Sequence, residues 1–76
     1  MPTAYITATR EAASDLAEVL VDSELAACVN VVDCDSYYRW DGDTYAGDEE
    51  AVLFAKTTAE TYPELKARVQ EEHPYD

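Results

Sequence analysis

From Thr3 to Thr9 apolar and polar residues alternate, with Ala4, Ile6 and Ala8 on one side and Thr3, Tyr5, Thr7 and Thr9 on the other. That is the period of a strand with one apolar face. From Glu11 the period changes: Ala13, Leu16, Ala17 and Leu20 recur at helical spacing while Asp15, Glu18 and Asp22 take other faces, which predicts a helix ending near Glu24. Glu11 in its first turn suits the positive end of the helix dipole. Residues Cys28 to Trp40 are rich in valine and aromatics and predict a long strand. Its apolar phase slips, Val29 and Val31 sharing one parity and Tyr38 and Trp40 the other; a bulge at Asp33-Cys34-Asp35 would account for the slip. Asp41-Gly42 is a hairpin turn signal, and the run ending in Ala51-Val52-Leu53-Phe54-Ala55 supplies the antiparallel partner. A second helix is predicted from about Thr61 to Glu72, with Pro63 in its first turn, Tyr62, Leu65 and Val69 as its apolar stripe, and Pro74 beyond its end.

The order strand, helix, strand, strand, helix is the ferredoxin-like α+β pattern, βαββα(β), without its last strand. The two central strands should form a long hairpin arm. In this topology the missing strand would lie beside the first, whose edge would otherwise be a pairing hazard. At 76 residues the chain is expected to form a single domain over residues 1–76. A domain of that size buries only about 60% of the surface its unfolded chain exposes, which favours oligomerisation. There is no internal repeat, linker or low-complexity segment.

Charge narrows the partners. Seventeen acidic against five basic residues leave a formal net charge of -12, which repels phosphate backbones and anionic headgroups, so neither nucleic acid nor a membrane surface is an expected partner. The acids are scattered along the chain and only two lysines are present. Such self-repulsion is relieved when molar salt shortens the Debye length to about 3 Å. A halophilic cytoplasm is the expected setting, an ordinary acidic protein the alternative. Two cysteines without a Cys-x-x-Cys pair, and no charged-then-apolar leader, argue against a disulfide framework, a redox site of the thioredoxin kind and a secretory signal. The longest apolar run, Ala51 to Ala55, is far below the roughly 20 residues of a membrane-spanning helix.

Candidate chemistry is sparse. Cys28, Cys34 and His73 are the donors copper or zinc would select over carboxylates. Cys28 and Cys34 lie six residues apart on one predicted strand, about 20 Å at roughly 3.3 Å per residue, so within one chain they cannot share a metal or form a disulfide. For Cys28 a small buried hydrophobe is the favoured reading; Cys34 is expected to be exposed. His73 can serve as a ligand or as a cation at the end of the second helix. The acids Asp33, Asp35, Asp41, Asp43, Asp48, Glu49 and Glu50 miss the spacing of a calcium loop and read as a solvated face. Ser14, Ser23 and Ser36 lack a nucleophile-elbow context, and two glycines make no phosphate loop. No enzyme is expected.

Leu25-Ala26-Ala27-Cys28-Val29-Asn30-Val31-Val32, Ser36-Tyr37-Tyr38-Arg39-Trp40-Asp41-Gly42, Glu50, Lys56-Thr57-Thr58 and His73-Pro74-Tyr75 together resemble, in register and over nearly the whole chain, the CutA family of divalent-cation tolerance proteins. In that family the last segment leads into a further strand and a C-terminal tail, so the resemblance implies that this chain, ending at Asp76, lacks both. It also implies a homotrimer in which the hairpin pairs with neighbouring subunits, and a cleft between subunits lined by Tyr38, Trp40, Glu50, Lys56, His73 and Tyr75. The function it implies is divalent-cation tolerance with copper or a similar cation bound. The alternative is a trimeric small-molecule sensor resembling the PII signalling proteins, holding an anionic effector in the cleft at Tyr38, Trp40, Glu50, Lys56 and Tyr75.

Overall fold

The computed structural model describes residues 1–72, and the side chains of all of these but residues 47–49. The elements run β1 (Thr3–Thr9), α1 (Arg10–Asp22), β2 (Cys28–Trp40), β3 (Asp43–Lys56) and α2 (Tyr62–Glu72). The three strands form an antiparallel sheet in the order β1-β3-β2. Two helices complete the ferredoxin-like α+β pattern.

Alternation in β1 becomes burial alternation: Ala4, Ile6 and Ala8 are buried, the threonines and Tyr5 exposed. Across the ladder these face Ala55, Leu53 and Ala51 of β3, all fully buried. Ala13, Leu16 and Leu20 of α1 and Leu65 of α2 close the core from above. One sheet face is therefore covered by helices. The opposite face carries Tyr5, Val52, Phe54, Asn30 and Val32, and Tyr5, Phe54 and Val32 are exposed on it.

Local chemistry sets the element ends. The Thr9 hydroxyl accepts a hydrogen bond from the Ala12 backbone N–H at 3.2 Å and so caps α1. The helix stops at Asp22, two residues short of the expected end. Glu24 takes a left-handed φ of 61°, and the N–H groups of Leu25 and Ala26 both return to the Leu20 carbonyl at 3.0 Å, which ends helical pairing. Thr57, buried at the end of β3, donates its hydroxyl to the Leu25 carbonyl at 2.8 Å, tying the exit of α1 to the sheet. Before α2, the Thr58 side-chain oxygen accepts from the Thr61 N–H at 3.1 Å. Of the predicted α2 stripe, Leu65 is buried and Val69 packs partly on the core, whereas Tyr62 is exposed.

At the far end, Asp41 (φ 52°) and Gly42 (φ 84°) form the two-residue turn between Trp40 and Asp43, and positive φ at both positions defines the type I′ hairpin. A Cβ at Gly42 would meet nothing within 4 Å; the backbone angle is what favours glycine there. The register shifts where the phase slip placed it, but on the other strand. Between the pairs Cys34–Glu50 and Ser36–Gly47, β2 advances two residues and β3 three, so the extra residue lies in β3, opposite Asp35. The change of apolar parity along β2 is thus a real change of face. Val29 and Val31 belong to the helix-covered side; Tyr38 and Trp40 continue the parity of the open side.

Candidate functional site

The hairpin end carries the densest group of exposed aromatic side chains. Tyr38 stands directly opposite Tyr45 and their rings stack, centroids 5.7 Å apart and planes at 24°. Trp40, two residues on, is diagonal to Tyr45, a relation within reach of large side chains. The three line an open hollow of about 290 Å³. Tyr45 is the member the sequence reading missed. Counting outward from the Asp41-Gly42 turn, which pairs Trp40 with Asp43 and hence Tyr38 with Tyr45, would have found it.

Of the other candidate side chains on the open sheet face, Lys56 lies at the opposite end and Glu50 midway along β3, beside the register shift. Lys56 is paired with Thr3 and with Cys28; Glu50 is paired with Thr9 and with Cys34. Six residues separate Lys56 from Glu50, about 20 Å along the strand. Trp40 is twelve residues along β2 from the partner of Lys56, roughly 40 Å of extended chain, matching the 40 Å length of the molecule. One copy therefore does not bring Tyr38 and Trp40 together with Lys56. His73 and Tyr75 lie outside the described residues.

Cys28 is exposed, which corrects the expectation of a buried hydrophobe: its parity is that of Asn30 and Val32 on the uncovered face, and no helix reaches it. Its sulfur lies 4.0 Å from Asn30 Oδ1. Cys34, expected to be exposed, is instead the less exposed of the two: it is half-buried, 4.0 Å from Ser36 Oγ. Both are free thiols. Among the described residues no three His, Cys, Asp or Glu side chains come close enough to hold a metal ion. Two ion pairs are formed there, Arg10 to Asp33 at 3.1 Å and Arg68 to Glu72 at 3.0 Å, both exposed enough to contribute little.

The sequence model of the CutA1 divalent ion tolerance protein family matches residues 3–76. The chain belongs to that family. The CutA divalent-cation tolerance protein of Thermus thermophilus is 46% identical over 68 residues, covering 88% of this chain and 65% of its own length. The chain thus spans a little under two thirds of that relative. Among solved structures, the PII-like protein CutA of Nostoc in apo form superposes with a TM-score of 0.92 at 32% identity, over 100% of this chain and 72% of that one. The structure described as the periplasmic divalent cation tolerance protein CutA of Archaeoglobus fulgidus gives 0.80 at 34% identity, over 96% and 72%. These CutA likenesses extend over the hairpin as well as the helix-covered base, since each covers nearly all of this chain. The relatives are named as tolerance proteins and not as enzymes.

Proposed function

We propose that this CutA-family chain serves divalent-cation tolerance as a homotrimer, binding copper or a similar cation through ligands drawn from more than one copy. Family membership over residues 3–76 carries the reading. Two features support the assembly. The open sheet face exposes Tyr5, Val32 and Phe54, and a two-stranded arm is marginal in water unless something packs on it. His73, Cys28 and Cys34 are the soft or borderline donors, and their spacing within one chain asks for a neighbour. Calorimetric titration of the assembled protein with copper tests this. His73→Ala and Cys34→Ser should each weaken binding at least tenfold while Asp43→Asn leaves it nearly unchanged. Equal losses in all three, abolished by moderate salt, would replace a specific site with diffuse attraction to an acidic surface.

A second reading, a PII-like sensor for a small anionic effector, is favoured by one feature: Lys56, one of two lysines in a chain of net charge -12, stands on the open sheet face. Lys56→Ala should leave the oligomer intact and weaken anion binding; dissociation of the oligomer would instead make Lys56 an interface residue. For location we propose the cytoplasm, since the free thiols Cys28 and Cys34 suit a reducing compartment. The Archaeoglobus structure is described as periplasmic, so cell fractionation decides between the two.

A further inference from the structure

We propose that in the assembled protein Lys56 of each copy forms an ion pair with Glu50 of the next, joining the two charged residues of the sheet face that the copies cover. The inference rests on the trimer reading and stands against the sensor reading, which leaves Lys56 free for an anion. On the open face of the sheet, Lys56 sits in a cross-strand row between Thr3 and Cys28, and Glu50 in a row between Thr9 and Cys34. The two rows between them, centred on Phe54 and Val52, are uncharged. Among the described residues this face of the base therefore carries one base and one acid, and is neutral in a chain of net charge -12.

Covering the face takes both groups out of water, and a buried charge without a partner is strongly destabilising. Within one copy the two cannot serve each other: they stand six residues apart on β3, about 20 Å along the strand. The ion pairs formed among the described residues are Arg10 with Asp33 and Arg68 with Glu72. Elimination then narrows the partners of Glu50. Of the five basic residues, Arg10 and Arg68 are engaged in those pairs, and Lys66 belongs to α2, on the other side of the sheet. Arg39 pairs with Thr44, on the face of the arm away from Tyr38 and Trp40. Lys56 is the cation that remains. From the side of Lys56, Glu50 is the acid already half-buried on this face, whereas Asp41 and Asp43 stand exposed at the turn and keep their water. A closed ring of three supplies the geometry. Its interfaces are heterologous, one patch of each copy meeting a different patch of the next, so two separated stations on one strand can meet across copies, and the contact repeats at every interface.

The test is the molar mass by light scattering over a dilution series in molar potassium chloride, with a chelator present so that no bound cation bridges copies. Lys56→Glu and Glu50→Lys should each raise the concentration at which the parent trimer half-dissociates by about a hundredfold or more, since each sets like charges against one another at every interface. The milder Glu50→Gln, which keeps the shape of the side chain, should raise it about tenfold. The double variant Lys56→Glu/Glu50→Lys should return to within about tenfold of the parent, with far-UV circular dichroism showing the fold retained throughout. Net charge alone predicts the opposite for Glu50→Lys, which makes the chain less negative and would then assemble more tightly. Single variants that keep the parent's midpoint, or a double variant no better than the singles, would overturn the pair and leave the trimer in place. A monomeric parent would overturn the trimer reading itself, and the pair with it.

Discussion

The two ends of the sheet are built from the same strands under opposite conditions. At the base, β3 is flanked by β1 and β2 and roofed by two helices, and Ala51, Leu53 and Ala55 are completely buried. Beyond the register shift the same two chains run on as a bare ribbon, on which Tyr37, Tyr38, Trp40 and Tyr45 are all exposed. The base is held by apolar burial within one chain. The arm is held by its turn, its ladder and one aromatic stack, and its apolar surface remains available for something else to cover. The base has a core of its own on its helix-covered side, while the arm has none within one chain.

Truncating one large side chain at each end should separate the base from the arm most clearly. Leu53→Ala should cost about 2–5 kcal/mol, lowering the melting temperature by roughly 10 °C or more, because Leu53 is one of three large side chains with essentially no exposure. Tyr37→Ala in the arm should cost less than about 0.5 kcal/mol in the dissociated chain, since Tyr37 is 74% exposed. A Tyr37 loss matching that of Leu53, measured by thermal denaturation of both variants, would show that the arm is part of the core.

Smaller effects sharpen the same division. Gly42→Val should cost on the order of 1–2 kcal/mol, because φ is +84° there and not because space is short. The loss should appear as faster amide exchange in the arm while exchange in the base is unchanged. Thr9→Ala removes the α1 cap and should cost about 1 kcal/mol, read as a lower midpoint in denaturant for the base. Arg68→Ala, breaking the exposed i,i+4 pair with Glu72, should change stability by no more than about 0.5 kcal/mol.

Much of this division could be read in the sequence, for physical reasons that differ between the elements. The period-2 pattern of Thr3 to Thr9 and the Asp41-Gly42 pair depend only on neighbours along the chain, and both appear where they were read. The extra residue at the register shift was placed on the wrong strand because parity along β2 reports which face is apolar, not which strand carries the insertion. The sequence predicts the end of α1 two residues late, since the left-handed Glu24 is not a residue type that announces such a turn. Cys28 was read as buried because a small apolar side chain at a strand start gives no clue to which face the helices cover. The candidate site is least legible: the sequence points to Tyr38 and Trp40, but Tyr45 completes their group only through cross-strand register, and within one copy Lys56 stands at the far end of the sheet with Glu50 between.

Salt offers a global test of the charge reading. With a net charge of -12 and Glu11, Asp15, Glu18 and Asp22 spaced along α1, molar potassium chloride should raise the melting temperature steeply by screening repulsion. An unchanged melting temperature would remove the halophile reading and leave the fold as described.

The most direct test of the central claim, that the exposed sheet face and arm are covered by further copies of the chain, is its molar mass by light scattering in molar potassium chloride, for the parent and for Phe54→Asp. Three times the 8.5 kDa chain mass for the parent, with dissociation of Phe54→Asp, is the predicted result. A stable monomer with full secondary structure would contradict it.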